Sequence, residues 1–267
     1  MRPRDVTSER QDNMERLWYI KHCRLFETLT PDQLARLERR ARVRKFPPKA
    51  AVYLPADAAD AVLLLAEGRV KLCSLTADGK EAILAFIDAG ELFGELSLVG
   101  ESVRDEHAET VAPSTVILLP RDELEGLMAA SPQLALGVTK LIGWRRRRIE
   151  RRLKTLLFRS NRERVIHLLL DLAEQYGQTA PDGVLLAVRL SHQDLASVIG
   201  ATRETVTVLL GELQLEGMLK VARQRLVIRD MPRLAACVDA PPPRLPERIA
   251  SRPVIASTRP ASIREKP

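Results

Sequence analysis

The feature that most constrains the fold of this chain is a change in hydrophobic pattern near Pro120. Between residues 43 and 120, runs of four to six apolar or alternating residues are separated by turn signals such as Glu67-Gly68 and Asp78-Gly79. Regular short strands with glycine turns are typical of a β-sandwich or barrel. After Pro120 the pattern becomes helical. The sequence therefore predicts a β domain followed by helices.

A long helix is predicted from Pro132 to about Phe158, with Ser131 as its N-cap. Apolar residues repeat along it at seven-residue spacing: Ile142, Ile149 and Leu156, with Leu153 between them. This stripe is typical of a helix that packs against a partner helix, most simply its own copy in a two-fold dimer. The alternative is that the stripe packs inside its own chain. The arginines at 145–148 interrupt it, either near the seam or as a solvated basic ring.

The sharpest signal lies between residues 161 and 230. A buried helix over 164–172 and a strand over 185–190 precede two short helices that are joined at Gly200. Ser191 and Asp194 resemble a capping box, and Thr202 caps the second helix, since their side chains can accept from orphan backbone N–H groups. The second helix has an apolar face of Val206, Leu209, Leu210 and Leu213. A hairpin with a basic tip follows, and the whole pattern predicts a winged helix-turn-helix.

The other face of the second helix carries residue types that contact DNA bases. Arg203 can donate two hydrogen bonds to guanine, and Glu204 can accept one from cytosine. Val208 cannot donate and can only touch a thymine methyl group. The predicted DNA-contacting residues are Arg203, Glu204, Thr207 and Val208, with Ser191, Gln193, Thr202 and Thr205 suited to phosphates, and Arg223 and Arg225 in the wing.

Composition narrows the class of protein. The net charge of +7 permits a polyanionic partner, above all nucleic acid. We expect no membrane partner, because no run of about 18 apolar residues exists. Cys23, Cys73 and Cys237 have neither zinc nor iron–sulfur spacing, so we expect a reducing cytoplasm, no structural metal and no iron–sulfur cluster. No catalytic motif is recognisable, so we do not expect an enzyme.

Two stretches identify a family resemblance. The segment LSHQDLASVIGATRETVTVLLGELQLEGML resembles the winged helix-turn-helix of Crp/Fnr transcription regulators. The segment GELFGELSLVGE, residues 90–101, resembles the phosphate-binding cassette of their cyclic-nucleotide-binding β-roll. The resemblance covers about residues 15–230. It implies promoter binding as a homodimer, contact with RNA polymerase, activator-type regulation and an effector in the β-roll.

The resemblance also implies an α+β fold of a jelly-roll-like β-roll, a dimerisation helix and a winged helix-turn-helix. The expected divisions are a disordered N-terminus at 1–13, an effector domain at 14–130, the dimerisation helix at 131–159, the DNA-binding domain at 160–232 and a disordered Pro/Arg-rich tail at 233–267.

The effector is the least determined feature. In cyclic-AMP-binding members an Arg-Ser pair holds the phosphate, but here these positions fall on Glu106-His107, and the adenine-contacting pair falls on Ile149-Glu150. Cyclic AMP is therefore disfavoured. The helix-turn-helix is also similar to that of cyanobacterial nitrogen regulators, whose 2-oxoglutarate contacts would fall on Arg145 and Glu150. The candidate effector-binding residues are Phe93, Gly94, Glu95, Leu96, Arg104, Arg145 and Glu150.

Several alternatives remain open at this point. The chain could regulate without any effector, and His107 leaves a haem ligand possible in principle. A non-specific architectural DNA binder would show salt dependence without base preference. A cyclic-nucleotide-gated enzyme or channel module would need a catalytic or membrane segment, and residues 161–267 show neither.

Overall fold

The structure is a computed structural model that describes residues 19–21, 23–75, 81–100, 102–222 and 225–246. The described residues divide into two compact units. The first comprises those within 1–161 and 192–205, and the second those within 162–191 and 206–267. The expected N-terminal segment 1–13, the wing-tip residue Arg223 and the tail from 247 onwards lie outside the described residues.

The first unit contains two four-stranded antiparallel sheets. The strands described in it are β1 (Arg42–Phe46), β2 (Ala51–Tyr53), β3 (Ala61–Glu67), β4 (Arg69–Leu75), β5 (Glu81–Asp88), β6 (Leu92–Phe93), β7 (His107–Thr110) and β8 (Ser114–Pro120). One sheet has the order β1-β8-β3-β6 and the other β2-β7-β4-β5. Apart from the consecutive pair β4 and β5, neighbouring strands in each sheet are far apart in sequence, for example Leu63 opposite Leu118, which gives the predicted roll-like sandwich.

Strand β3 shows why one of these sheets is buried on both faces. Its Leu63 and Leu65 pack between the two sheets, together with Phe93 from β6. Its Val62 and Leu64 face the opposite way, into a second core that helices cover. Because side chains alternate across a strand, the continuous apolar run of β3 is what a doubly covered strand requires.

The helices follow the predicted signals closely. They are α1 (Pro31–Arg40), α2 (Arg121–Ala130), α3 (Pro132–Phe158), α4 (Asn161–Tyr176), α5 (His192–Ile199), α6 (Arg203–Leu215) and α7 (Met231–Ala236). The Ser131 hydroxyl accepts from the backbone N–H of Leu134, as an N-cap should. The start and end of α3 agree with the sequence-based prediction. No helix among the described residues is both long and apolar enough to cross a bilayer.

The second unit includes a four-stranded sheet beside α4 and most of α6. Its strands are β9 (Gly177–Ala180), β10 (Gly183–Leu186), β11 (Leu219–Ala222) and β12 (Arg225–Ile228), in the order β11-β12-β10-β9. The predicted hairpin corresponds to β11 and β12. The strand expected over 185–190 instead spans 183–186, because Gly183, at φ +128°, follows a tight turn from β9. Strand β9 itself was not predicted.

Ordered structure also continues past residue 232, where the tail was expected to begin. Helix α7 starts after Asp230, whose carboxylate accepts from the backbone N–H of Arg233. Leu234 and Val238 are buried, so this segment contributes to the core. The expectation of a disordered tail from 233 is therefore wrong for residues 233–238, because an N-capped apolar turn precedes the proline-rich stretch.

Candidate DNA-contacting helix and effector cavity

The turn between α5 and α6 has the geometry that the sequence predicted. Gly200 adopts φ +67°, a left-handed conformation that glycine enters without steric cost and that ends α5 sharply. The backbone N–H of Ala201 donates to the carbonyl of Ala196. Leu195, Ala196 and Ile199 are buried, as expected for the inward face of α5.

Helix α6 begins at a side-chain cap. The hydroxyl of Thr202 accepts from the backbone N–H of Thr205 at 3.2 Å and lies 3.0 Å from the Thr205 hydroxyl. Thr202 was predicted both to cap this helix and to suit phosphate, and the cap is confirmed. Beyond it, Val206, Leu210 and Leu213 are buried, so this face of α6 is fixed by packing.

The predicted base-contacting residues lie on the exposed side of α6. Arg203, Glu204, Thr207 and Val208 are all exposed, which leaves this side of the helix accessible. Hydrogen bonds from the backbone N–H of Glu204 and from the Thr202 hydroxyl lower the pKa of the Glu204 carboxyl, so it is ionised and can accept from a base amino group. Helices enter a major groove with their first turns, which is where these residues stand.

The C-terminal half of α6 is braced within the second unit. Arg162 of α4 donates to Glu216 at 2.7 Å and to Glu212 at 3.3 Å. The guanidinium of Arg233 donates to the carbonyl of Glu216 at 3.1 Å and so satisfies the end of the helix. These contacts hold the end of α6 against the second unit.

The remaining predicted phosphate and wing residues are placed as follows. Ser191 directly precedes α5 and is exposed, while Gln193 in its first turn lies 3.4 Å from the Ser197 hydroxyl. Arg225 is exposed at the start of β12, next to the wing tip. The base of the wing is tied to the β9–β10 turn, where the Lys220 ammonium donates to Asp182 at 2.7 Å.

A cavity of about 320 Å³ lies in the first unit, beside strand β5 and helix α3. Its size falls in the range of small-molecule sites. Of the predicted effector residues, Glu95, Leu96, Arg145 and Glu150 line it. Its other lining residues are Leu72, Leu84, Ala85, Phe86, Ile87, Glu91, Glu106, Ile142, Trp144, Arg146, Arg148 and Ile149.

The other predicted effector residues, Phe93, Gly94 and Arg104, lie outside the lining of this cavity. Phe93 is fully buried in the inner core and stacks on Tyr53 at 6.1 Å between ring centroids. Gly94 adopts φ +66°, and its carbonyl accepts from the buried guanidinium of Arg104 at 2.9 Å. Arg104 also donates to the Ala61 carbonyl, and it lies 4.7 Å from the centroid of the Tyr53 ring. These three residues are not part of the cavity wall.

An ion pair closes one side of the cavity. The guanidinium of Arg145, on α3, donates to the Glu95 carboxylate and to the backbone carbonyl of Leu92. Both side chains are largely buried, at 12% exposure for Arg145 and 7% for Glu95. Two residues that the sequence nominated independently are therefore bonded to each other. This contact spans fifty positions of the chain, and no sequence signal predicted it.

Glu106 contributes a buried carboxyl to the same cavity. Burial raises its pKa, as does the negative charge of Glu95, while a hydrogen bond from the Tyr53 hydroxyl at 2.7 Å acts the other way. That a carboxyl stands here where cyclic-AMP-binding members hold the phosphate stays a prediction from the sequence. The adjacent His107 is buried, and neither ring nitrogen has a hydrogen-bond partner among the described residues.

Among the cavity residues that sequence reasoning missed, Trp144 and Arg148 form a contact of their own. Trp144 and Arg148 stand one helical turn apart on α3, and the guanidinium of Arg148 lies 4.8 Å from the Trp144 ring centroid. Their i, i+4 spacing is a usable signal for such a cation–π contact. Tyr53 was missed as well, since its partner Glu106 is far away in sequence.

Comparisons with known proteins agree with this architecture. A family model described as Crp-like helix-turn-helix domain matches residues 163–237, and one described as Cyclic nucleotide-binding domain matches residues 43–131. The Global nitrogen regulator of Synechocystis sp. is 32% identical over 214 residues, which are 76% of this chain and 95% of that protein. This chain belongs to the Crp/Fnr family of transcription regulators.

Other Crp/Fnr proteins are similar at the same scale. The CRP-like cAMP-activated global transcriptional regulator of Mycobacterium tuberculosis is 26% identical, over 79% of this chain and 94% of that protein. The structure of FixK2 from Bradyrhizobium japonicum superposes with a TM-score of 0.67 at 25% identity, and the match covers 75% of this chain and 98% of that one. The Crp/Fnr assignment makes this chain a DNA-binding transcription regulator with an effector-binding domain.

Proposed function

We propose that this Crp/Fnr regulator acts in the cytoplasm as a homodimer that binds palindromic promoter sites and contacts RNA polymerase there. The observation that carries the proposal is the surface of α6. Its first turns present Arg203, Glu204 and Thr207 outward, while the same helix is anchored by its apolar face. Such an arrangement suits insertion into a major groove.

Dimerisation is proposed from helix α3. Ile149, Leu153 and Leu157 recur on one side of the helix and remain 51%, 52% and 64% exposed in the single chain. Apolar side chains at this spacing favour a partner helix, and a second copy of α3 supplies a matching face. Light scattering at micromolar concentration tests this directly: a dimer supports the proposal, and a monomer contradicts it.

Selection of duplexes by the purified protein tests sequence-specific binding. We expect two inverted half-sites about one helical turn apart, as follows from two-fold symmetry. Val208 stands where many family members have a second guanine-contacting arginine. We therefore expect the half-site to differ from the TGTGA type at the base that this arginine would contact. Recovery of the unchanged consensus at full strength would contradict this, and binding without base preference would favour an architectural role instead.

The effector is proposed to bind in the cavity beside α3, and 2-oxoglutarate is the candidate that the nitrogen regulators suggest. Arg145 could bind a carboxylate through two parallel hydrogen bonds. We expect millimolar 2-oxoglutarate to raise the melting temperature of the protein, and Arg145→Ala to remove that shift. Unshifted melting with unaltered promoter binding would instead favour a regulator that needs no effector.

A further inference from the structure

The charged side chains that line the cavity are already engaged with partners in the chain. Arg145 is bonded to Glu95, and Arg146 donates to Glu150 at 2.8 Å. Arg148 lies over the ring of Trp144. The carboxyls without an arginine partner also have donors: Tyr53 for Glu106, and the backbone N–H of Asp88 for Glu91 at 2.8 Å.

The pair between Arg145 and Glu95 matters most for a ligand. A guanidinium binds a carboxylate with a planar, two-donor geometry, and here those donors are taken by the Glu95 carboxylate and the Leu92 carbonyl. A carboxylate ligand that bound the same two donors of Arg145 would have to take the place of Glu95. The displaced Glu95 would then be a buried charge without its cation.

The rest of the cavity does not favour an added negative charge either. Burial raises the pKa of both Glu91 and Glu106, so their surroundings already disfavour the ionised form of a carboxyl. Between these groups the wall is apolar, with Leu84, Phe86 and Ile149 among its residues. An uncharged ligand can be buried against such a wall without separating any ion pair.

We propose that Glu95 is a specificity-determining residue that competes from within the chain for the anion site on Arg145. An uncharged, largely apolar ligand enters the cavity with the pair intact, whereas a dicarboxylate binds only by exchanging with Glu95. This inference rests on the proposed role of the cavity as the effector site. On this proposal, Glu95 selects uncharged effectors over anionic ones.

Two probes and three variants test the competition by calorimetry. The probes are 2-oxoglutarate and its neutral dimethyl ester. Glu95→Gln keeps the shape of the side chain but removes its charge, and so weakens its competition for Arg145. Glu91→Gln is the matched control, because it removes a negative charge from the same cavity without releasing an arginine. Glu95→Gln combined with Arg145→Ala removes both partners.

We expect Glu95→Gln to bind 2-oxoglutarate at least tenfold more tightly than the wild type, the scale of one charge-assisted contact. Glu91→Gln should change that affinity less than threefold, and the double variant should lose the gain. The ester should bind wild type and Glu95→Gln alike. Equal affinities of these two proteins for 2-oxoglutarate, or no binding to Glu95→Gln, would overturn the proposal, as would an equal gain in Glu91→Gln.

The design separates this inference from the proposed function. Promoter binding is measured on the same proteins, so a chain that fails to bind DNA contradicts the regulator proposal whatever the ligand results are. If Glu95→Gln does not fold, Glu95→Ala serves as the second variant with the same expected order of affinities. A folded Glu95→Ala that gains no affinity for 2-oxoglutarate also overturns the competition.

Discussion

The proposed DNA-contacting helix and the proposed effector cavity differ in how their charged residues are placed. On α6, Arg203 and Glu204 are exposed at the start of the helix, and Glu204 is kept ionised by local hydrogen bonds. In the cavity, Arg145 and Glu95 are buried and bonded to each other. The proposed DNA contacts need no rearrangement of the exposed residues, whereas the proposed binding of a dicarboxylate needs Arg145 to exchange partners. If both proposals hold, one part of the protein is arranged for direct contact and the other for selection.

The largest effect that this comparison predicts is a loss of protein stability when the ion pair in the cavity is broken. Arg145→Ala should cost about 3 kcal/mol of unfolding free energy, because it leaves the buried Glu95 carboxylate without its cation. Arg146→Ala is the matched control, since its pair with Glu150 is 79% and 51% exposed and should contribute less than about 0.5 kcal/mol. Urea denaturation measures the unfolding free energy of both variants. Equal losses in the two variants would show that burial does not make the Arg145–Glu95 pair the stronger one.

The next largest effect concerns DNA affinity. Arg203→Ala should weaken binding to a selected promoter site by about 2 kcal/mol, or roughly thirtyfold, because a bidentate guanine contact is lost. Its thermal stability should change little, since Arg203 is exposed. Arg42→Ala, another exposed arginine but on β1, should leave affinity unchanged in a fluorescence anisotropy titration. If both variants bind as the wild type does, α6 does not contact bases through Arg203.

A smaller effect is expected at the helix cap. Thr202→Ala should destabilise the start of α6 by about 1 kcal/mol, because the backbone N–H of Thr205 loses its acceptor. Hydrogen exchange at the Thr205 amide should accelerate accordingly, while Thr202→Ser should preserve protection. If exchange at the Thr205 amide is unchanged in Thr202→Ala, the Thr202 hydroxyl does not stabilise the start of α6.

The smallest effect is a pH dependence in the cavity. Burial raises the pKa of Glu106 in the folded state, so the folded protein holds this proton to higher pH than the unfolded chain does. The stability contributed by protonated Glu106 is therefore present below its ordinary pKa and is lost as the pH rises through the folded value. Glu106→Gln should be more stable than wild type at pH 8, with the difference shrinking towards pH 4. A stability difference between Glu106→Gln and wild type that stays constant from pH 8 to pH 4, measured by urea denaturation, would contradict this prediction.

Sequence reasoning succeeded where the determining contacts are local. The N-cap at Ser131, the cap at Thr202 and the left-handed turn at Gly200 each depend on residues within a few positions of one another. The same holds for the bounds of α3. Strand β9 was missed because its local sequence pattern is weak. The start of the tail was placed too early because the N-cap at Asp230 was not recognised.

The sequence by itself determined the order of a β domain, a long helix and a winged helix-turn-helix, and the residues that α6 exposes, because periodicity and capping depend on neighbours along the chain. Only the tertiary structure decided which partners the candidate effector residues have. Arg145 is bonded to Glu95, fifty positions away in the chain, and the Tyr53 hydroxyl donates to Glu106. Phe93 and Arg104 make their contacts outside the cavity lining. Such pairings form between strands and helices distant in the chain, and the periodicity of each element does not specify its partner.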